Sequence, residues 1–140
     1  MTNKIDSIVR EMTFNKSIDV VWRAITDPKE VASWFGSAAH YDLKEGALGY
    51  FEWEGECEGR FALRIESINE PQYFAWRWMH NQDVDFDENT STLVEWKLTS
   101  VSESETTLVL TESGFAEAKH RGQNVEGWEQ ELGDLEKYLN

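Results

Sequence analysis

Residues 17–36, SIDVVWRAITDPKEVASWFG, read as two short helices in succession. Ser17 is a good N-cap, and Ile18, Val21, Trp22 and Ile25 follow at i, i+3, i+4 and i+7, one apolar helical face. Asp27 caps a second time. Pro28 stands at the first helical position, where a missing N–H costs nothing, and Glu30 is placed to complete a capping box. Val31, Trp34 and Phe35 form the second apolar face, and Gly36 is a C′ stop. Almost everything after this stretch alternates with the period of a strand, until a last helix.

Working outward, residues 7–15 read as a first strand. Residues 40–43 read as a short second one, and residues 48–54 place Phe51 and Trp53 on one face. Residues 54–59 carry turn chemistry. Residues 60–69 set Phe61, Leu63 and Ile65 against Arg60, Arg64 and Glu66. After the Glu70-Pro71-Gln72 turn, residues 73–80 put Phe74, Trp76, Trp78 and His80 on one face. Residues 81–90 are a polar, acidic loop in which Phe86 is placed to fold over a cavity mouth. Residues 92–100 point Val94, Trp96 and Leu98 inward, and residues 106–113 do the same with Leu108, Leu110 and Glu112. Gly114 breaks that strand, and residues 116–123 read as a connection. Over residues 124–140, Val125, Trp128, Leu132, Leu135 and Leu139 form one apolar seam on a helix of about four turns.

One polar and one apolar face per strand, joined by hairpin-length turns, imply an antiparallel sheet covered on one side. The expectation is a single α+β domain over residues 1–140. A curved antiparallel sheet of six or seven strands wraps a long C-terminal helix, and two short helices follow the first strand. A chain of 140 residues buries roughly 68–70% of its unfolded surface, enough for a core without disulfides. Cys57 is the one cysteine, which fits a reducing compartment. The first twelve residues lack the apolar run of a secretory signal, and no stretch is long enough to span a membrane. A cytoplasmic protein is the expectation.

The chain carries 27 acidic and 13 basic residues, a formal net charge of −14. That charge disfavours nucleic acid and anionic lipid, whose binding depends on Lys and Arg. It serves solubility, or attraction to a basic partner or cationic ligand. Against this surface stand seven Trp, seven Phe and four Tyr, which must be buried, line a cavity or make an interface.

The segments VWRAITDP, WFG, EGALGYFEWEG, RFALRIESINEP, TLVEWKL, TLVLTESGF and GWEQELGDLEKYL, in this order, resemble the helix-grip superfamily of START and birch-pollen-allergen-like domains (SRPBCC). Within it they are most similar to bacterial proteins like the C-terminal domain of the heat-shock-protein-90 ATPase activator. The resemblance implies a cavity between sheet and C-terminal helix. Its members include carriers of lipids and aromatic ligands, aromatase/cyclases, antibiotic-resistance proteins and chaperone activators. One departure is Glu112, where relatives often have His before SGF.

The inward aromatic residues have a plain reading as core and a functional one as the wall of a pocket for a flat hydrophobic ligand. The ligand-facing set expected on the second reading is Trp34, Phe35, Trp53, Phe61, Trp76, Trp78, Trp96, Glu112, Phe115 and Trp128. Glu112 is the sharpest polar candidate. An inward carboxylate needs a cation or donors, and serves either as a structural strand-end residue, a ligand anchor or a general acid/base. His80 is the other titratable group on the aromatic face. His40, Cys57, His80 and His120 have no ligand spacing for a metal, and the alternating carboxylates of residues 83–88 lack the glycine and glutamate of a calcium loop. No nucleophile elbow and no phosphate-cradling glycine loop is present.

The expected function is therefore binding of a small hydrophobic or aromatic molecule, without catalysis and without metal or cofactor, in a stress or detoxification setting. A chaperone cofactor that activates a heat-shock-protein-90-type ATPase is the alternative. A cyclase or hydrolase using Glu112 is the third.

Overall fold

A computed structural model describes residues 7–36, 38–53, 59–115 and 118–139. The chain runs β1 (Ile8–Phe14), α1 (Ile18–Thr26), α2 (Pro28–Trp34), β2 (Ala38–His40), β3 (Leu48–Trp53), β4 (Gly59–Asn69), β5 (Tyr73–Trp78), β6 (Thr92–Ser102), β7 (Glu105–Ser113) and α3 (Ala118–Leu139). All seven strands form one antiparallel sheet in the order β1-β7-β6-β5-β4-β3-β2. Every pair except β1–β7 joins strands adjacent in sequence. The two short helices carry the chain from one edge of the sheet to the other, and α3 returns over its inner face. The α+β helix-grip architecture expected from the sequence is the one observed.

The alternation of the strands holds. Phe51, Leu63, Ile65, Phe74, Trp76, Val94, Trp96, Leu108 and Leu110 are all buried on one face of the sheet. Trp128, Leu132, Leu135 and Leu139 of the α3 seam are buried against them, and Val125 packs at the edge. In β4 the register shifts between Ile65 and Ser67, which brings Ile68 back toward the core. The opposite face carries a polar lattice, with Arg64 and Arg77 both paired to Glu66.

The caps differ from expectation in instructive ways. Ser17 has extended dihedrals and its carbonyl accepts from Val20 and Val21, but its side chain makes no capping bond. Asp27 does cap α2, its carboxylate accepting from the Lys29 N–H at 2.9 Å. The reciprocal half of the box is missing. The Asp27 N–H already closes α1 on the Arg23 carbonyl, because one residue serves as the end of one helix and the start of the next. Glu30 is thereby left to accept from the Tyr138 hydroxyl of α3 at 3.0 Å.

Two boundaries and one side-chain placement are corrected. The segment expected to be a connection before residue 124 is helical from Ala118, so α3 has 22 residues. Its first turns have no apolar periodicity, but also no proline to stop the helix. The short strand expected at residues 40–43 is Ala38–His40. Phe86 does not cover a cavity mouth. It lies under the Arg64 guanidinium, 4.9 Å from ring centre to carbon, and Arg64 points outward between the inward Leu63 and Ile65. Arg64 is also paired with Glu88, which pins this acidic loop to the outer face. The expected turn at residues 54–58, with Cys57, lies outside the described residues, as does the side chain of His120.

Candidate functional site

Phe35 follows the last residue of α2 and stands at the centre of the aromatic interior. Its ring lies within 6.0 Å, centre to centre, of those of Trp34, Phe51, Trp53, Trp76, Trp78 and Trp128. Trp128 stacks on it and the others meet it edge-on or tilted, the geometries that aromatic quadrupoles favour. Trp96 joins through Trp34, Trp76 and Trp128, and Phe61 through Trp53. Trp34 ties α2 to α1 by donating its indole N–H to the Ala24 carbonyl at 2.8 Å. The aromatic residues singled out from the sequence thus form one connected set. Phe115 stands at its far end, against His80.

Two indole groups within this set are anomalous. Trp76 and Trp96 are fully buried, and among the described residues neither indole N–H has a hydrogen-bond partner. Leaving a buried donor unmatched costs about 1–3 kcal/mol.

Glu112 is the polar centre of the interior. It is fully buried, as its parity in β7 requires, between Val94 of β6 and Ile8 of β1. A buried carboxylate without partners would cost several kcal/mol. Here four donors converge on it. The Trp78 indole N–H and the Thr92 hydroxyl donate to Oε2 at 2.7 and 2.5 Å. The Asn124 amide and the Trp128 indole N–H donate to Oε1 at 2.8 and 2.7 Å. Two of the donors come from β5 and β6, two from α3, so this one side chain bolts the helix to the sheet. His80 joins at second hand. Its Nε2 lies 2.9 Å from the Thr92 hydroxyl oxygen. That hydroxyl has one hydrogen, already given to Glu112, so His80 Nε2 is the donor to Thr92.

A second acidic site was not picked out from the sequence. A hollow of about 520 Å³ opens at the end of the layer between α2, β3 and α3, lined by Ser33, Trp34, Gly36, Trp53 and the α3 residues Gln130, Glu131, Asp134, Lys137 and Tyr138. Glu131 is half-buried there. Burial, reinforced by the neighbouring Asp134, pushes its carboxyl up to about 7, although the Trp53 side chain and the Gly36 backbone both donate to it. Gly36 has φ +70°, and a Cβ there would meet the Glu52 carbonyl at 2.7 Å and the Trp53 ring at 3.0 Å. The glycine therefore both ends α2 and lets Trp53 lie against the backbone. Glu131 stands three residues after Trp128 and four before Leu135, a spacing that sets it at the edge of the buried seam. That signal was present in the sequence. Among the described residues no group of His, Cys, Asp and Glu is arranged to hold a metal, and no helix is long and apolar enough to cross a membrane.

The fold and these sites can be set against known proteins. The chain is similar in structure to DynU16, a protein of the dynemicin biosynthetic locus, with 25% identity and a TM-score of 0.78 over 96% of this chain and 47% of that one. It is similar to the Aha1 dimer from Colwellia psychrerythraea, at 17% identity and a TM-score of 0.78 over 96% of both chains. PFC0360w, an HSP90 activator from Plasmodium falciparum, matches at 21% identity and a TM-score of 0.74 over 95% of both. No curated protein matches in sequence. The family model described as activator of Hsp90 ATPase homolog 1-like protein matches residues 15–140, from before the first helix to the end of α3, and the chain belongs to that family.

Proposed function

We propose that this domain binds a flat, hydrophobic ligand bearing hydrogen-bond acceptors between its sheet and α3. The observation that carries the reading is the pair of buried, unmatched indole N–H groups of Trp76 and Trp96, whose rings lie 5.7 Å apart. An acceptor oxygen on a ligand would satisfy them, and the rings packed around them would give apolar contact to a ligand that parts the layer to reach them. A detoxification or stress role in the cytoplasm is the setting that suits such a ligand. The domain acts as a binder and not as an enzyme on this reading. Both oxygens of Glu112 are engaged by donors of the protein itself, which leaves Glu112 without an oxygen free to act as acid or base on a substrate.

The test is a panel of planar aromatic compounds, paired with and without carbonyl or quinone oxygens. Acceptor-bearing members are expected to quench the tryptophan fluorescence and raise the melting temperature. Trp76→Phe and Trp96→Phe should weaken those members and leave their acceptor-free counterparts unchanged. A panel in which no compound does either removes the reading.

The family and the charge of −14 support a second reading, a co-chaperone that binds a basic face of an Hsp90-type ATPase. It requires salt-sensitive association with the chaperone and faster ATP turnover in its presence. Absence of both at low salt would remove it.

A further inference from the structure

The hollow between α2, β3 and α3 has the volume of a small-molecule site, about 520 Å³ against the ~300–1,000 Å³ usual for such sites. Its composition is unlike that of the aromatic interior. Glu131 and Asp134, one helical turn apart on α3, both line it. Trp53 forms an aromatic wall, half-exposed and held against Gly36, and Trp34 contributes beside it. Among the described residues no Lys or Arg forms an ion pair with either carboxylate. Lys137 lines the rim of the same hollow and is exposed. The result is a concave, half-dry site with two acids and a tryptophan face on a strongly anionic protein.

We propose that this hollow binds an organic ammonium ion, its N–H groups donating to Glu131 and Asp134 and its apolar body lying against Trp53. An ammonium supplies what the site lacks. It neutralises Glu131, which burial penalises, and meets Asp134 beside it, through charge-assisted hydrogen bonds. It also gains attraction from the tryptophan ring, the best of the cation–π partners. The upward displacement of the Glu131 carboxyl agrees with a site short of positive charge. An anion of the same shape would face two carboxylates and is excluded by the same chemistry. The site adjoins the aromatic interior through Trp34 and Trp53, but Trp76, Trp96 and Glu112 do not line it. It therefore stands or falls independently of the ligand read for that interior.

Two probes that share a ring and differ in charge test the proposal: tryptamine and indole-3-propionate, each titrated into ¹⁵N-labelled protein. Tryptamine should give saturable shifts at the Gly36 amide, the Trp53 indole N–H and the amides of residues 130–138. Indole-3-propionate should give none. Glu131→Gln and Asp134→Asn, both near-isosteric, should each weaken tryptamine about tenfold, the scale of one charge-assisted contact. Lys137→Ala removes a competing cation and should tighten it severalfold, a gain that a damaged fold would not produce. Equal binding of the two probes, shifts centred on the Trp76 and Trp96 indoles, unchanged affinity in Glu131→Gln, or no saturation at millimolar tryptamine would each overturn it.

Discussion

Glu112 and Glu131 are both carboxylates turned toward the same layer between sheet and helix, and they behave as opposites. Glu112 is fully buried and meets four donors, from two strands and one helix, each oxygen taking two. Glu131 is half-buried, shares its surroundings with another acid and has a carboxyl pushed up to about 7. Burial alone does not decide what a carboxylate does. The deeper of the two is held as a structural acceptor, and the shallower is the one left short of partners. The lesson is in the count of donors against acceptors: the interior supplies as many as Glu112 can use, and the groove does not.

The comparison breaks most visibly at Glu112. Glu112→Gln keeps the size of the side chain but turns one acceptor oxygen into a donating amide facing donors. Two of the four groups lose their partner, and a loss of about 2–4 kcal/mol in denaturant unfolding is expected. Asn124→Ala sharpens it, removing one donor at the polar end of the cluster for about 1–2 kcal/mol. In a double-mutant cycle with Glu112→Ala the two losses should fall short of additive, because both remove the Asn124–Glu112 bond. Additive losses would show that the donors do not act through Glu112.

On the other side of the comparison, Gly36→Ala places a Cβ within 2.7 Å of the Glu52 carbonyl and against the Trp53 ring, at a residue with positive φ. A loss of about 1–2 kcal/mol is expected, with a shift in the Trp53 indole resonance. The smallest effect is the most specific. The folded state holds the Glu131 proton up to about pH 7, whereas an ordinary glutamate releases it near 4.5. Between those values the folded state binds more protons than the unfolded one, so this group lowers stability as pH rises through the window. Glu131→Gln should therefore raise the melting temperature relative to the native chain at pH 8, with the advantage shrinking toward pH 5. A difference independent of pH would show that Glu131 titrates as an ordinary surface acid.

Much of this was legible in the residues. The two-residue period of strands set the inward faces, including Glu112 behind Leu108 and Leu110, and the seam of α3 was readable from Val125 to Leu139. The donors that meet Glu112 were not, because they come from residues 20 and 34 positions upstream and 12 and 16 downstream. Which of them reach it depends on the β5–β6–β7 register and on how α3 seats, neither of which a single strand's pattern contains. The opening of α3 was missed for a different reason. Residues 118–123, AKHRGQ, carry no apolar period, so nothing in them marks a helical face to read. The absent half of the Asp27 capping box was likewise a matter of competition, since the N–H it needed had already closed α1.

Local period and capping chemistry by themselves determined the elements, their order, the faces they bury and hence the helix-grip layering of this chain. Those are short-range consequences of sterics and hydrophobic spacing, and they survive without knowledge of neighbours. The tertiary structure alone decided that Phe35 is the centre of the aromatic packing, that Glu112 is saturated with donors, that Trp76 and Trp96 are left with unmatched N–H groups and that Glu131 shares a groove with Trp53. Each of these is a matter of which groups from distant segments come within hydrogen-bond or ring-contact distance. Such distances are set by register and helix seating to within an ångström, a precision that periodicity in the sequence does not encode.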